Sequence, residues 1–244
     1  LTLINRLIKL FSMIKPVPDK MSRQETSPAE QTRAALVLAA LKLFGRQGFD
    51  GTSTREIAAE AKANIGSIAY HFGGKEGLRA AAADHIVETV QAVAGQAIGP
   101  AQAPSTPEAA KAQLTAALER MVGFIVASPE AGEIVQFVLR ELSHPTAALD
   151  RIYAGVFEPT HRRLCQVWEQ ATGEPAESEA TKLTVFTIIG QVIYFRIGRE
   201  AVLRRMGWRE IGPTQAAKVV AVATNNLEAM LAVRAPAARK EGKR

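Results

Sequence analysis

The stretch Ser53–Leu78, STREIAAEAKANIGSIAYHFGGKEGL, decides how the rest of the chain is read. Ser53-Thr54-Arg55-Glu56 has the S/T-x-x-E form of a capping box, in which the serine accepts from first-turn amides and the glutamate reaches back. Ile57, Ala58 and Ala61 give this short helix one apolar face. After a Lys62-Ala63 turn, Asn64 suits the N-cap of a second short helix, Ile65 to Phe72, with Ile65, Ile68 and Phe72 at i, i+3 and i+7. Its other positions are small or can hydrogen-bond. A major-groove reader needs one face anchored in a small core and another narrow enough to approach base edges, so the pair is a helix-turn-helix candidate. Gly73-Gly74 then opens a third helix with Lys75 in its first turn. A cation there opposes the helix dipole, and the placement makes sense if a DNA phosphate binds that end.

Working outward, Leu36, Ala39, Ala40, Leu43 and Phe44 mark one face of a helix from Pro28 to about Gln47, which Gly48 is placed to end and which braces the reader. Gly48-Phe49-Asp50-Gly51 is turn chemistry. Thr52 and Thr54 follow where their hydroxyls reach either a phosphate or an ordinary cap. Glu76 to about Gly95 makes a connecting helix, and the Pro-rich joint from Ile98 to Pro107 carries the domain boundary.

The run Ala63-Asn64-Ile65, followed by Ile68-Ala69-Tyr70-His71-Phe72-Gly73-Gly74-Lys75-Glu76-Gly77-Leu78, resembles the reader domain of the TetR family of bacterial transcriptional regulators. The phasing of Leu43-Phe44, Gly48-Phe49, Thr52, Thr54 and Ile57-Ala58 fits as well, so the match covers roughly Thr32 to Ile86. Lys62 stands where the family usually has glycine, and Ala69-Tyr70 where many members have a leucine- or threonine-rich pair. Further on, Glu141-Leu142-Ser143-His144-Pro145-Thr146, with Phe157-Glu158-Pro159, resembles the regulatory domain of the CerR-like subgroup, over roughly Ala109 to Leu231. That resemblance implies an inducer-binding domain.

The bulk numbers are permissive. With 244 residues, 47% of them hydrophobic, the chain suits one or two domains with a sizeable core. The net charge of +6 belongs to the ends: residues 1–20 carry +3 and residues 234–244 carry +4, which leaves the body at −1. The case for DNA therefore rests on the motif and not on overall basicity. A single cysteine, Cys165, cannot form an internal disulfide and fits a reducing cytoplasm, or simply a small buried hydrophobe. No run of ~20 consecutive apolar residues occurs, so no spanning helix and no membrane partner is expected. The opening LTLINRLIKLFSMIK places Leu3, Leu7, Phe11 and Ile14 on one stripe, which suits a surface-lying amphipathic helix. Residues 1–20 are nevertheless expected to be an upstream extension before a start at Met21, within a flexible leader 1–27.

The C-terminal half reads as helices throughout. Thr106-Pro107-Glu108 and Ser128-Pro129-Glu130 each put an N-cap before proline and an acid in the first turn. Thr146 to Ala171 is helical by pattern, kinked or split at Pro159, with Gly173 as stop. From Glu179 to about Arg205 the chain is apolar nearly all round: Leu183, Phe186, Gly190, Ile193 and Ile197 form one stripe and Val185, Ile188, Ile189, Val192 and Phe195 cover much of the rest. A helix from Pro213 to about Val233 repeats the theme with Ala216, Val220, Ala223, Leu227 and Met230. Helices apolar on two sides are either internal to a core or shared with a second copy in a two-fold four-helix interface.

The expectation is an all-α protein: an N-terminal three-helix helix-turn-helix domain (28–97), a larger C-terminal ligand-binding and dimerisation domain (106–233) and a basic tail (234–244). Its partners are double-stranded DNA, a small-molecule effector and a second copy of the chain. Asn64, Ile65, Ser67 and Ala69 are assigned to base edges, and Thr52, Thr54, Tyr70, His71 and Lys75 to phosphates. For the effector, Phe124, Phe137, Phe157, Trp168, Phe186 and Tyr194 are candidate walls and Arg140, His144, His161, Gln191 and Arg196 candidate anchors. Each has a plainer alternative in core packing or, for Arg196, a pair with Glu200. No catalytic, metal or cofactor site is expected: Ala69 and Glu76 break the P-loop pattern around Gly74-Lys75, and the four histidines lack metal spacing. Two competitors remain, a helical enzyme or carrier with an incidental helix-turn-helix, and a membrane-surface protein using the first fifteen residues.

Overall fold

In the computed structural model, residues 27–98, 104 and 106–234 are described; the leader, most of the Pro-rich joint and nearly all of the basic tail lie outside them. Every regular element among the described residues is helical. They fall into two units, one formed by the described residues of 1–91 together with 128–157, the other by those of 92–127 and 158–244.

The first unit begins with α1, Pro28–Gln47. Ser27 accepts from the Glu30 amide at 3.2 Å while Glu30 takes the Ser27 amide at 2.8 Å, a capping box with proline at the first helical position. Leu36, Ala39, Ala40 and Phe44 are buried as their spacing predicts, with Val37 and Leu41 beside them. Around α1 gather α2 (Thr54–Glu60), α3 (Gly66–Phe72) and the start of α4 (Lys75–Ile98). Ile57, Ile68, Leu78 and Ile86 are essentially inaccessible. Each contributes about 1.5–3 kcal/mol from burial, enough to hold seven-residue helices that would not form alone.

Residues 128–157 belong to this same unit, although the sequence joint lies well before them. They form α6 (Pro129–Ser143), α7 (Ala147–Ile152) and a π-helical segment, Tyr153–Phe157. The expected break at Pro159 has a definite form. Proline lacks the amide that would answer the Gly155 carbonyl four residues back, and Gln91 Nε2 donates to it instead, at 2.9 Å. Gly155 also lies so close to Val87 that a Cβ would stand 2.6 Å from its methyl carbon.

The second unit contains α5 (Pro107–Val122) with a π-helical end at Gly123–Ala127, then α8 (Glu158–Thr172), α9 (Glu179–Ile197), α10 (Arg199–Met206) and α11 (Pro213–Arg234). Its core includes Leu114, Leu118, Val122, Trp168, Val185, Val192, Val220 and Leu227. Contrary to expectation, α9 and α11 are long and apolar enough to cross a membrane, each with a mean hydropathy of 1.2. Thr, Gln and Gly interrupt the apolar runs of α9, and Lys, Thr, Asn and Glu those of α11. One side of each helix is committed to the protein interior: Val185, Ile188 and Val192 of α9, and Ala216, Val220 and Leu227 of α11, are buried.

Candidate nucleic-acid interface

The reader is built by two turns. At the end of α2, Lys62 adopts φ 52°, the left-handed conformation that glycine accepts most easily. Its N–H goes to the Ala59 carbonyl at 3.1 Å and that of Ala63 to the Ala58 carbonyl at 2.9 Å, the paired bonds of a Schellman ending. The backbone therefore keeps the glycine shape although a lysine occupies the position. Ahead of α2 the expected box is present: Ser53 accepts from the Glu56 amide at 3.1 Å and Glu56 from the Ser53 amide at 2.7 Å. The Ser53 backbone bond, followed by its hydroxyl, holds the Glu56 carboxyl below its ordinary value.

The second turn hands α3 to α4. Gly73 is left-handed at φ 71° and closes α3 on the Ala69 carbonyl, and Gly74 follows at φ 137°. Gly77 meets a steric requirement, since a Cβ there would stand 1.9 Å from the Phe72 carbonyl oxygen. Gly77 is thus what lets the two helices come this close, while Gly73 and Gly74 supply the positive φ angles of the turn.

Between these turns α3 buries Ile68 and presents its other side outward. Tyr70 is 83% exposed and Ile65 47% exposed. Asn64 and Ala69 are exposed, while Ser67, His71, Thr54 and Lys75 are partly exposed. Asn64 Oδ1 accepts from the Gly66 amide at 2.8 Å, which leaves its NH2 group pointing to no protein acceptor among the bonds of this turn. The helix begins at Gly66, so Ile65 and not Asn64 is its N-cap. Lys75 Nζ lies 4.2 Å from the centre of the Phe49 ring and the Arg79 guanidinium 3.9 Å from it, stacking two cations on one aromatic at the start of α4.

One assigned contact is corrected. Thr52 is 1% exposed, and its hydroxyl faces the carbonyls of Gly48 at 2.7 Å and Leu43 at 3.3 Å. It closes the turn after α1 and does not face a phosphate.

The eleven residues assigned to an effector are divided between the two units. Phe137, Arg140, His144 and Phe157 lie in the first unit and the other seven in the second. Phe137 is in the core, Arg140 binds carbonyls of α1, and His144 is an exposed helix end. Phe124 and Phe157 lie within the two π-helical segments. Trp168 is fully buried with its indole N–H on Glu174 at 2.8 Å. His161 meets the Lys182 carbonyl at 3.1 Å and stacks on Phe186 at 4.0 Å. Gln191 accepts from Asn226, Arg196 donates to the Ile125 carbonyl at 2.5 Å, and Tyr194 is exposed. Burial holds the Arg196 guanidinium below its ordinary range. The second unit instead holds a cavity of about 30 Å³ lined by Leu114, Ala117, Leu118, Met121, Leu164, Val185, Ile188 and Leu227. None of these was assigned to an effector from the sequence, and Val185, Ile188 and Leu227 were read only as parts of apolar helix faces, because aliphatic residues at helical spacing look the same around a cavity as in a solid core. Among the described residues no group of three or more His, Cys, Asp or Glu is placed to hold a metal ion.

Residues 36–82 match the family model described as bacterial regulatory proteins, tetR family. Residues 110–233 match that of the C-terminal domain of the HTH-type transcriptional dual regulator CecR, over half of the chain. The chain belongs to the TetR family. Its C-terminal domain is of the CecR kind, over residues close to those whose resemblance was read as CerR-like. The CecR protein of Shigella flexneri is 34% identical over 187 residues, covering 75% of this chain and 83% of that protein. Two solved structures share the fold. A TetR-like transcriptional regulator from Rhodococcus sp. RHA1 has a TM-score of 0.58 at 18% identity, over 81% of this chain and 96% of that one. AibR, in complex with isovaleryl coenzyme A and operator DNA, has a TM-score of 0.61 at 18% identity, over 81% and 97%. The protein is accordingly a DNA-binding helix-turn-helix transcription regulator.

Proposed function

We propose that this TetR-family protein is a homodimeric repressor, without catalysis of its own, that occupies a palindromic operator and is released by a small-molecule effector. The observation that carries this reading is the outward face of α3: Tyr70 and Ile65 stand in solvent on a helix whose opposite side is locked by Ile68. Asn64, Ile65, Ser67 and Ala69 meet base edges, while Thr54, Tyr70, His71 and Lys75 meet phosphates. Two copies enter successive major grooves about 34–36 Å apart or a multiple of that. Such a protein acts in the cytoplasm, where its operator is.

Dimerisation is supported by α9. Leu183, Phe186, Tyr194 and Ile197 are each more than half exposed along one stripe of it, as is Val222 on α11. An apolar stripe of this length in water marks a contact surface, and a second copy offers the same stripe back. The wholly aliphatic lining of the second unit's cavity supports an effector with a hydrocarbon part. AibR is seen with an acyl coenzyme A, which is in keeping. A cavity of about 30 Å³ admits little more than a water, so such a ligand must part α5, α8, α9 and α11. It thereby favours a state with the reading heads wrongly spaced, and can do so only through its higher affinity for that state.

The test is a salt series of binding titrations. Lys75→Ala weakens binding to every duplex and lowers the slope of log affinity against log salt by about one unit. A loss confined to one sequence would contradict the phosphate role.

A further inference from the structure

Arg140 lies on α6, yet its side chain reaches the end of α1. Its Nε donates to the Gly45 carbonyl at 2.8 Å and its Nη2 to the Arg46 carbonyl at 2.7 Å, ninety-five and ninety-four residues earlier in the chain. These carbonyls belong to the last turn of α1, where no later helical amide answers them. The local ending serves only part of the need: Gly48 sends its N–H to Phe44, but at φ 82° and ψ 169° it lies outside the left-handed helical well that would close the others. A guanidinium from α6 completes the cap, with the charge the helix dipole favours there.

The backbone approach is made for this. A Cβ on Gly45 would stand 3.2 Å from the Phe137 amide nitrogen and 3.3 Å from Gln136 Cβ. One on Gly48 would stand 3.2 Å from Arg140 Nη1. From the capped end the chain runs straight into the reader: Thr52 bonds back to the Gly48 carbonyl, and Ser53 opens α2 through its box with Glu56. The angle at which α2 and α3 leave α1 is therefore set at the turn that Arg140 grips.

We propose that Arg140 is a positioning residue for DNA recognition, fixing the end of α1 so that a shift of α6 becomes a shift of the reader. The role rests on α3 being the DNA reader.

The experiment compares the full chain with Arg140→Ala and Arg140→Lys, well below their melting temperatures and with helix content checked by circular dichroism. Without DNA, Arg140→Ala exchanges its Gly48–Ser53 amides faster than wild type. On an operator selected by the wild-type chain it binds about tenfold more weakly, the scale of one or two lost charge-assisted bonds. Affinity for random duplex and the salt slope are unchanged, because no phosphate contact is lost. Arg140→Lys, which keeps the charge but not the fork, falls between. Unchanged exchange at Gly48–Ser53 would overturn the proposal. So would a salt slope lower by about one unit, which would make Arg140 itself a phosphate contact. Equal losses on operator and random duplex would overturn it too. A wild-type chain that enriched no sequence would sink the reader assignment and this role with it, while the exchange comparison would still report whether Arg140 holds the end of α1.

Discussion

Helices α3 and α9 both leave large side chains in solvent, and they do so for opposite reasons. On α3 a single buried anchor, Ile68, holds seven residues whose outer face is tyrosine, histidine, serine and an isoleucine at its start. On α9 a buried stripe of Thr181, Thr184, Val185, Ile188 and Val192 holds nineteen residues whose outer face is Leu183, Phe186, Tyr194 and Ile197. An exposed face rich in hydrogen-bonding groups keeps its solvation until a polar partner replaces the water. A mainly apolar face lowers its free energy whenever it is covered. On the function proposed above, that difference is the one expected between a surface that reads and a surface that assembles.

The contrast breaks most visibly at α9. Leu183→Asp with Phe186→Asp places charges on the stripe, and the dimer is expected to weaken by about 4 kcal/mol or more, to monomer at micromolar concentration in sedimentation. The variant monomer keeps its helix content, since neither residue is buried within its own subunit. Next in size is Gly77→Ala in the reader. Its methyl would collide with the Phe72 carbonyl, and a loss of about 1–3 kcal/mol in denaturant unfolding is expected, with the turn between α3 and α4 loosened. Smallest is Lys62→Gly, which relieves a left-handed lysine and should stabilise the protein by about 0.5–1 kcal/mol, read as a higher melting temperature. A Lys62→Gly protein less stable than wild type would show that the lysine side chain itself holds the turn.

The same contrast explains what was legible in the sequence. The reader is written in short-range signals: the Ser53–Glu56 capping box, the glycines at 73 and 74, and apolar spacing within a few residues. These lie where the structure has them, although the N-cap of its second helix falls at Ile65 and not Asn64, and Lys62 even keeps the turn that its identity disfavours. Thr52 was misread because a hydroxyl before a helix looks alike whether it faces a phosphate or the Gly48 carbonyl. Arg140 was misread because its partners are some ninety-five residues away, and no local spacing reports them. Trp168 looked like a pocket wall, but Glu174 satisfies its indole inside the core. The aliphatic lining of the cavity carried no distinguishing mark, since a void depends on how four helices meet and not on any one of them.

The central claim is that α3 lies in a DNA groove, twice per dimer. Selection of bound fragments from random duplex DNA by the full chain tests it most directly. The predicted result is an enriched inverted repeat whose half-site centres lie about 10–10.5 base pairs apart or a multiple of that, lost when Ile65 and Ser67, on the base-edge face, are both replaced by alanine. Recovery of no common sequence, or of the same sequence by the doubly substituted chain, would contradict it.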